Sequence, residues 1–139
     1  MTLEQFIDRI KNIASNVPNL NTVQEGNIYD IMNGDRQVKY AAFVITQGTH
    51  RFGDGQMFFA FNLFYVDRLV DDLESNRTQV QSQGIEVLKQ VINQLTSDSD
   101  IDRTEATIDT FTERFNDLTA GAFANVTFQV PTDDCYEEF

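Results

Sequence analysis

The sequence has one cysteine, one histidine and only 10 basic residues against 22 acidic ones. The single cysteine, Cys135, has no partner within the chain, which excludes an intramolecular disulfide and favours a reducing or neutral compartment. Its neighbours Asp133, Asp134, Glu137 and Glu138 disfavour a thiolate there, so a catalytic cysteine is not expected. The scarcity of cysteine therefore points away from both disulfide scaffolds and thiol chemistry.

The shortage of basic residues gives a formal net charge of −12 and a pI near 4.2. This charge opposes binding to a phosphate backbone, so sequence-specific nucleic-acid binding is not expected. It is typical of a soluble surface, and it also suits a surface past which a polyanion slides without sticking. No apolar run approaches the ~18 residues of a membrane span, and the acidic, amphipathic start MTLEQFIDRI does not resemble a secretory signal.

The first third of the chain predicts two helices. Thr2 and Gln5 form a capping box, and apolar residues then recur at helical spacing, which predicts a helix over residues 3–16. Thr22 and Glu25 repeat the capping signal, so a second, short helix is expected up to about residue 33, with a strand as the alternative.

Four strands and a long helix follow. Alternating residues predict strands at 38–46, 57–66, 104–111 and 122–130. An apolar stripe through residues 80–95 predicts the main packing helix. We therefore expect an α+β fold with a mostly antiparallel four-stranded sheet, packed by one long helix plus the N-terminal helices. A single domain over residues 1–131 and an acidic tail over residues 132–139 are expected.

The segment MFFAFNLFYVDRLVDDLESN, which begins at Met57, is the most informative part of the chain. Because side chains alternate along a strand, both faces of this strand are apolar. A strand that is apolar on both faces needs covering twice, by helices on one side and by folded-over chain or a neighbouring subunit on the other. The residues that we assign to an oligomer interface are Phe58, Phe59, Phe61, Phe64 and Tyr65.

No catalytic or metal motif emerges. His50 lies in a glycine-rich loop without a nucleophile motif elsewhere, which favours an exposed loop histidine. Alternating Asp98, Asp100 and Asp102 resemble the start of a calcium loop, but Arg103 stands where such a loop needs glycine. No phosphate-binding loop and no zinc spacing is present, so no cofactor and no enzymatic activity are expected.

A second group of acids, Asp67, Asp71, Asp72 and Glu74, precedes the long helix. Acids are favoured at the start of a helix by its free N–H groups and dipole. The same four acids leave a second hypothesis open: a small monomeric ligand-binding domain or enzyme with an acidic cleft.

Three segments together resemble a known family. They are NIYDIMNG leading to VKYAAFVITQGTH, then FAFNLFYVDRLVDDLESNRTQVQSQGIEVLKQVI, and FTERFNDLTAGAFANVTFQVP, which cover most of residues 22–131. They are similar to the small neck and tail-completion proteins of tailed bacteriophages, including those of Bacteroidetes and crAss-like phages.

The resemblance implies a tail-terminator-like fold that closes into a homo-oligomeric ring in the virion neck or tail, with DNA passing through its bore. Other neck and tail proteins would be the partners, and assembly would take place in the bacterial host cytoplasm. On this hypothesis the loop over residues 47–56 contacts an adjacent ring through Thr49, His50, Arg51, Phe52 and Asp54. Tyr136 and Phe139 of the acidic tail would dock into a neighbour's groove. A soluble mimic of DNA is a third possibility.

Overall fold

The computed structural model describes residues 1–34, 38–71, 74–115 and 117–131. In chain order the elements are α1 Leu3–Ser15, β1 Thr22–Glu25, α2 Ile28–Met32, β2 Ala42–Gln47, β3 Arg51–Gly53, β4 Gln56–Arg68, α3 Arg77–Thr96, β5 Arg103–Arg114 and β6 Leu118–Pro131.

The strands form one sheet in the order β1, β2, β4, β6, β5, with β3 also paired to β4. β4 lies at the centre, and it pairs with β6 over its whole length, from Gln56 opposite Pro131 to Arg68 opposite Thr119. β5 is antiparallel to β6 and forms one edge of the sheet, whereas β1 is parallel to β2 and forms the other.

The prediction of a four-stranded sheet is wrong, because the sheet has six strands. The α+β class is broadly consistent with the structure; β3 was not predicted, and β1 lies in a segment for which a strand was only the alternative to a helix. β1 lies where the Thr22 and Glu25 pattern predicted a helix cap, and it forms because main-chain pairing with β2 outweighs that local signal. The helix begins later, at an N-cap formed by Asn27, whose side chain accepts hydrogen bonds from the N–H groups of Tyr29 and Asp30.

β3 lies inside the loop predicted over residues 47–56. Asp54 and Gly55 have φ angles of 55° and 73°, so the two together make the tight connection between β3 and β4. A two-residue Asp-Gly turn with both φ angles positive matches the twist of the flanking strands, and this explains why a short hairpin forms there.

The two longer helices confirm their predictions. Both hydrogen bonds of the capping box are present: the Thr2 side chain accepts from the Gln5 N–H, and the Gln5 side chain accepts from the Thr2 N–H. The helix α1 begins at Leu3. The apolar stripe of α3 is buried at every predicted position, and its residues are Val80, Gly84, Val87, Leu88, Val91, Ile92 and Leu95.

The main core lies between these two helices and one face of the sheet. On β4 this face carries Phe59, Phe61, Leu63 and Tyr65, all of which are buried. Phe6 of α1 packs on it, with ring centroids 5.5 Å from Phe59 and Phe61. A smaller cluster under α2 covers the end of the opposite face near β2. The sheet is therefore covered unequally on its two sides.

Candidate subunit interface

The less covered side of the sheet is called here the open face. It consists of the side chains of β3, β4, β5 and β6 that point away from α1 and α3. Strand pairing places them in rows across the sheet, and they are Arg51, Phe58, Ala60, Asn62, Phe64, Arg103, Glu105, Thr107, Asp109, Phe111, Phe123, Asn125, Thr127 and Gln129. Within residues 1–34, 38–71, 74–115 and 117–131, α2 is the one helix on this side. The cluster beneath it contains residues of β2 and Val66 of β4, and Phe64 and Phe111 pack against its border.

One end of the open face is aromatic. Phe64 and Phe123 stack with ring centroids 5.5 Å apart and an interplanar angle of 24°, and Phe111 lies 6.4 Å from each. All three side chains are only partly buried. This phenylalanine cluster lines a cavity of about 430 Å³ together with Tyr29, which is 56% exposed. Such a partly buried aromatic group is typical of a contact surface.

The other end of the open face carries cations. Arg51, Phe58, Gln129 and Arg103 lie side by side in one row across four strands, which we name the cation row. The Arg51 guanidinium lies 4.1 Å from the centroid of the Phe58 ring, and Arg103 forms a salt bridge of 2.6 Å with Glu105. The row lines a cavity of about 500 Å³.

The five residues predicted for the oligomer interface divide between the two faces. Phe58 and Phe64 lie on the open face, each partly buried. Phe59, Phe61 and Tyr65 are only 5%, 1% and 5% exposed, since they form the core beneath the helices. The alternation along β4 was predicted from the sequence, and between Phe58 and Tyr65 the partly exposed residues of this strand are the even-numbered ones.

The predicted contact loop contains a β-bulge. Gln47 pairs with Phe61 and Arg51 pairs with Phe58, so three residues on one strand oppose two on β4. His50 completes the broken ladder, because its Nδ1 accepts a hydrogen bond of 3.1 Å from the Ala60 N–H. Its Nε2 therefore carries the proton and lies 3.1 Å from Gln47 Oε1. His50 thus supports the bulge, which is a structural role that local sequence does not reveal.

The other residues assigned to this loop point outward. Thr49, Arg51, Phe52 and Asp54 are exposed, and Phe52 is 60% exposed. Tyr136 and Phe139, the proposed docking residues of the tail, lie outside the described residues, as does Cys135. The contacts between rings predicted for the five loop residues, His50 included, and the docking predicted for the two tail residues stay predictions.

The acidic cleft of the second hypothesis corresponds to a cavity of about 400 Å³ near the start of α3. Among the described residues that line it, Asp67 is the one carboxylate. Asp71 instead accepts hydrogen bonds from the N–H and hydroxyl of Ser75, and Glu74 pairs with Arg77 at 3.7 Å. Asp72 lies outside the described residues. The described acids therefore do not form a carboxylate pair in this cavity.

Two tyrosines that line this cavity have raised pKa values. Burial, with a smaller contribution from the charge of Asp67, raises the pKa of Tyr65 to about 12. Burial and a 3.0 Å hydrogen bond to Asp117 Oδ2 raise the pKa of Tyr40. Both hydroxyls stay neutral near pH 7, so these two tyrosines offer hydrogen-bonding groups to the cavity.

The described part of the chain contains no group of three or more histidine, cysteine or acidic side chains placed to hold a metal ion. Asp98 forms a salt bridge with Arg9 and accepts a hydrogen bond from the Asp100 N–H, so its carboxylate is used within the fold. In the same described residues no helix combines the length and apolarity needed to cross a bilayer.

β5 adds a second exposed feature to the open face. It is 12 residues long, it lies at the edge of the sheet, and most of its side chains are exposed. A long edge strand offers main-chain donors and acceptors to another chain unless it is covered. The edge and the open face are adjacent, so one neighbouring molecule could contact both.

Sequence reasoning did not find the cation row, Phe111 or Phe123 as surface groups. They lie on β3, β4, β5 and β6, and their assignment to one face requires the register of all four strands. No protein-family model matches the chain, and no curated protein matches it at a significant level of similarity.

Proposed function

We propose that this chain is a virion structural protein that forms a homo-oligomeric ring in the neck or tail of a tailed bacteriophage. It would serve as a connector or tail terminator through which DNA passes, without catalytic activity. The proposal combines the resemblance of residues 22–131 to neck and tail-completion proteins with the geometry of the open face.

The observation that carries the proposal is the unequal covering of the sheet. Phe58, Phe64, Phe111 and Phe123 remain partly accessible on the open face, while the opposite face is buried under α1 and α3. A second subunit on the open face would bury these rings, at a gain of roughly 25 cal/mol per Å² of apolar area removed from water. The adjacent edge of β5 would allow main-chain pairing in the same contact.

The charge of the chain supports the passage of DNA. A net charge of −12 per subunit accumulates in a closed ring, and a negative bore repels the phosphate backbone instead of retaining it. This is the same electrostatic argument that disfavours sequence-specific binding.

The experiment is to measure the mass of the purified chain in solution across a concentration series, and to image large species by negative stain. We expect closed rings of one size. Asn125→Arg places a bulky charge on the open face at an exposed strand position, so it is expected to lower the assembled fraction at least tenfold. Gln90→Arg makes the same change on the exposed face of α3 and serves as the matched control.

Rings that form equally well with Asn125→Arg would show that the open face is not the interface. A wild-type chain that stays monomeric at every concentration would overturn the ring and favour the small binding domain. In that case ligand screening would begin at the cavity beside Asp67.

A further inference from the structure

We propose that the cation row of one copy binds residues 132–139 of a neighbouring copy. The inference rests on the proposed function only in requiring a second copy nearby. The binding site is formed by described residues, and the occupant is identified by its chemistry and by where the described chain ends.

The cation row places two guanidinium groups on either side of an aromatic ring and an amide. Arg51 pairs with Phe58, Phe58 with Gln129, and Gln129 with Arg103, so the four side chains share one face of the sheet. With neighbouring strands about 4.8 Å apart, the α-carbons of the two arginines are separated by roughly 14 Å. Their side chains are long enough to approach one ligand from both sides.

The surroundings of the row suit an acidic peptide with aromatic residues. Phe58 offers its ring edge, since its face carries the Arg51 guanidinium, and Thr49 and Thr127 add hydroxyl groups to the cavity. Glu105 offsets one of the two cations, which leaves a net positive charge on this part of an otherwise acidic molecule. Carboxylates bind guanidinium groups through paired, charge-assisted hydrogen bonds.

Residues 132–139 have this composition. The segment TDDCYEEF contains four carboxylates and two aromatic rings within eight residues. Fully extended, eight residues span at most about 26–29 Å, which is longer than the row itself. A peptide of this length can place acids on both arginines and an aromatic ring between them.

The direction of β6 favours a neighbouring copy over the same chain. β6 passes through the row at Gln129 and ends at Pro131, opposite Gln56, the first residue of β4. The last described residue, Pro131, therefore lies two positions past the row, and β6 runs away from the row in the plane of the sheet. To return to its own row it would have to reverse direction within a few residues, whereas a second copy beyond the sheet end needs no reversal.

The experiment uses a fluorescently labelled peptide of residues 132–139 carrying Cys135→Ser to prevent oxidation. Its binding is followed by fluorescence anisotropy with dilute full-length protein. We expect saturable binding that weakens as salt is added. Arg51→Ala and Arg103→Ala are each expected to weaken binding roughly tenfold or more, because each removes a charge-assisted contact.

Lys89→Ala is the matched control, since Lys89 is an exposed cation paired with Glu86 on α3, as Arg103 is paired with Glu105. It is expected to leave peptide binding unchanged. A second control is a peptide with Asp133, Asp134, Glu137 and Glu138 replaced by the corresponding amides, which is expected not to bind.

Four outcomes would overturn the proposal. One is that the peptide binds neither the wild type nor a full-length variant whose four tail acids are amides, and another is equal loss with Lys89→Ala. In the third outcome, dilute wild-type protein does not bind the peptide, but a full-length variant with the four acids converted to amides does. That result would mean that the tail of each wild-type chain occupies the cation row of the same chain. Labelled duplex DNA tested in parallel should not bind, and DNA binding lost with Arg51→Ala would assign the row to phosphate instead.

The peptide test and the ring test can fail independently. If the peptide binds but no rings form, the docking site is supported and the ring is contradicted. If the variant with four amides still forms rings and the peptide does not bind, the ring is supported and the docking site is contradicted.

Discussion

At the residue scale, Gly121 shows how closely the main chains approach in the central strand pair. A Cβ atom at this position would meet the main-chain carbonyl of Tyr65, with the ring of Phe111 also within 3.2 Å. A carbonyl in a paired strand cannot move aside without breaking the ladder. Gly121→Ala is expected to lower the free energy of unfolding by about 3 kcal/mol or more, measured by urea denaturation.

The matched control is Gly53→Ala in β3, where an added Cβ meets nothing within 4 Å. Its free energy of unfolding is expected to change by less than about 1 kcal/mol. Equal effects of the two substitutions would contradict the packing argument at Gly121.

Tyr65 predicts a loss of stability at alkaline pH. Its pKa is about 12 in the folded protein, against ~10 for an unfolded tyrosine. Below pH 10 both states keep the proton, so the stability is fully present. Between about pH 10 and 12 only the unfolded state releases it, so Tyr65 lowers the free energy of unfolding by up to about 1.4 kcal/mol per pH unit, and Tyr40, whose pKa is also raised, adds to the slope.

Urea denaturation at several pH values from 9 to about 11.5 would measure this slope. Tyr65→Phe is expected to have a shallower slope, because the titrating group is absent. Tyr29→Phe, at a position 56% exposed, is the control and should keep the wild-type slope. A slope that does not change with Tyr65→Phe would contradict the assignment.

Residue-level patterns predicted the division of β4 into two faces, and the structure confirms it for Phe59 and Phe61 in the core and Phe58 and Phe64 opposite. They did not predict that Arg51 and Arg103 share a row. These two residues are 52 positions apart in sequence, and only the register of three strand pairs joins them. Alternation is a local property, whereas register is not.

At the element scale, the bulge between β2 and β3 depends on one side chain. The Ala60 N–H has its partner in His50 Nδ1 instead of a main-chain carbonyl. His50→Ala would leave this partly buried N–H without that acceptor, and we expect a loss of about 1–3 kcal/mol in the free energy of unfolding. Faster amide hydrogen exchange at Ala60 would report the same loss locally.

The control is Thr49→Ala, which changes an exposed neighbour in the same loop and is expected to have little effect. His50→Asn, whose side-chain oxygen is a hydrogen-bond acceptor on a shorter side chain, is expected to recover part of the stability. If His50→Ala were as stable as the wild type, the histidine would not be supporting the bulge.

Long elements were more predictable from sequence than short ones. α3 has 20 residues and a continuous apolar stripe, so its period is clear, and its buried residues were all predicted. β1 has four residues, and its pairing with β2 depends on chain twenty residues away. A helix-cap pattern within those four residues therefore gave the wrong structure. β3 has three residues and was included in a loop for the same reason.

At the scale of the whole molecule, assembly of the proposed ring must overcome electrostatic repulsion between its subunits. Each subunit carries a net charge of −12, so neighbouring subunits repel one another at low ionic strength. Added salt is expected to strengthen contacts through the open face, because apolar burial persists while repulsion is screened. The tail contact is expected to respond in the opposite sense, since it joins opposite charges.

The central pairing of β4 with β6 also determines when the molecule can fold. β4 ends at Arg68, but its partner is complete only at Pro131. A ribosome that adds about 5–20 residues per second needs roughly 3–13 s to synthesise the 63 intervening residues. During that interval β2 and β4 are expected to pair as a hairpin with phenylalanines on both sides; α3 is complete at Thr96, whereas β6 is still absent. Folding is therefore completed only after nearly all of the described chain has been made, and we expect the nascent hairpin to be prone to aggregation until β6 pairs with it.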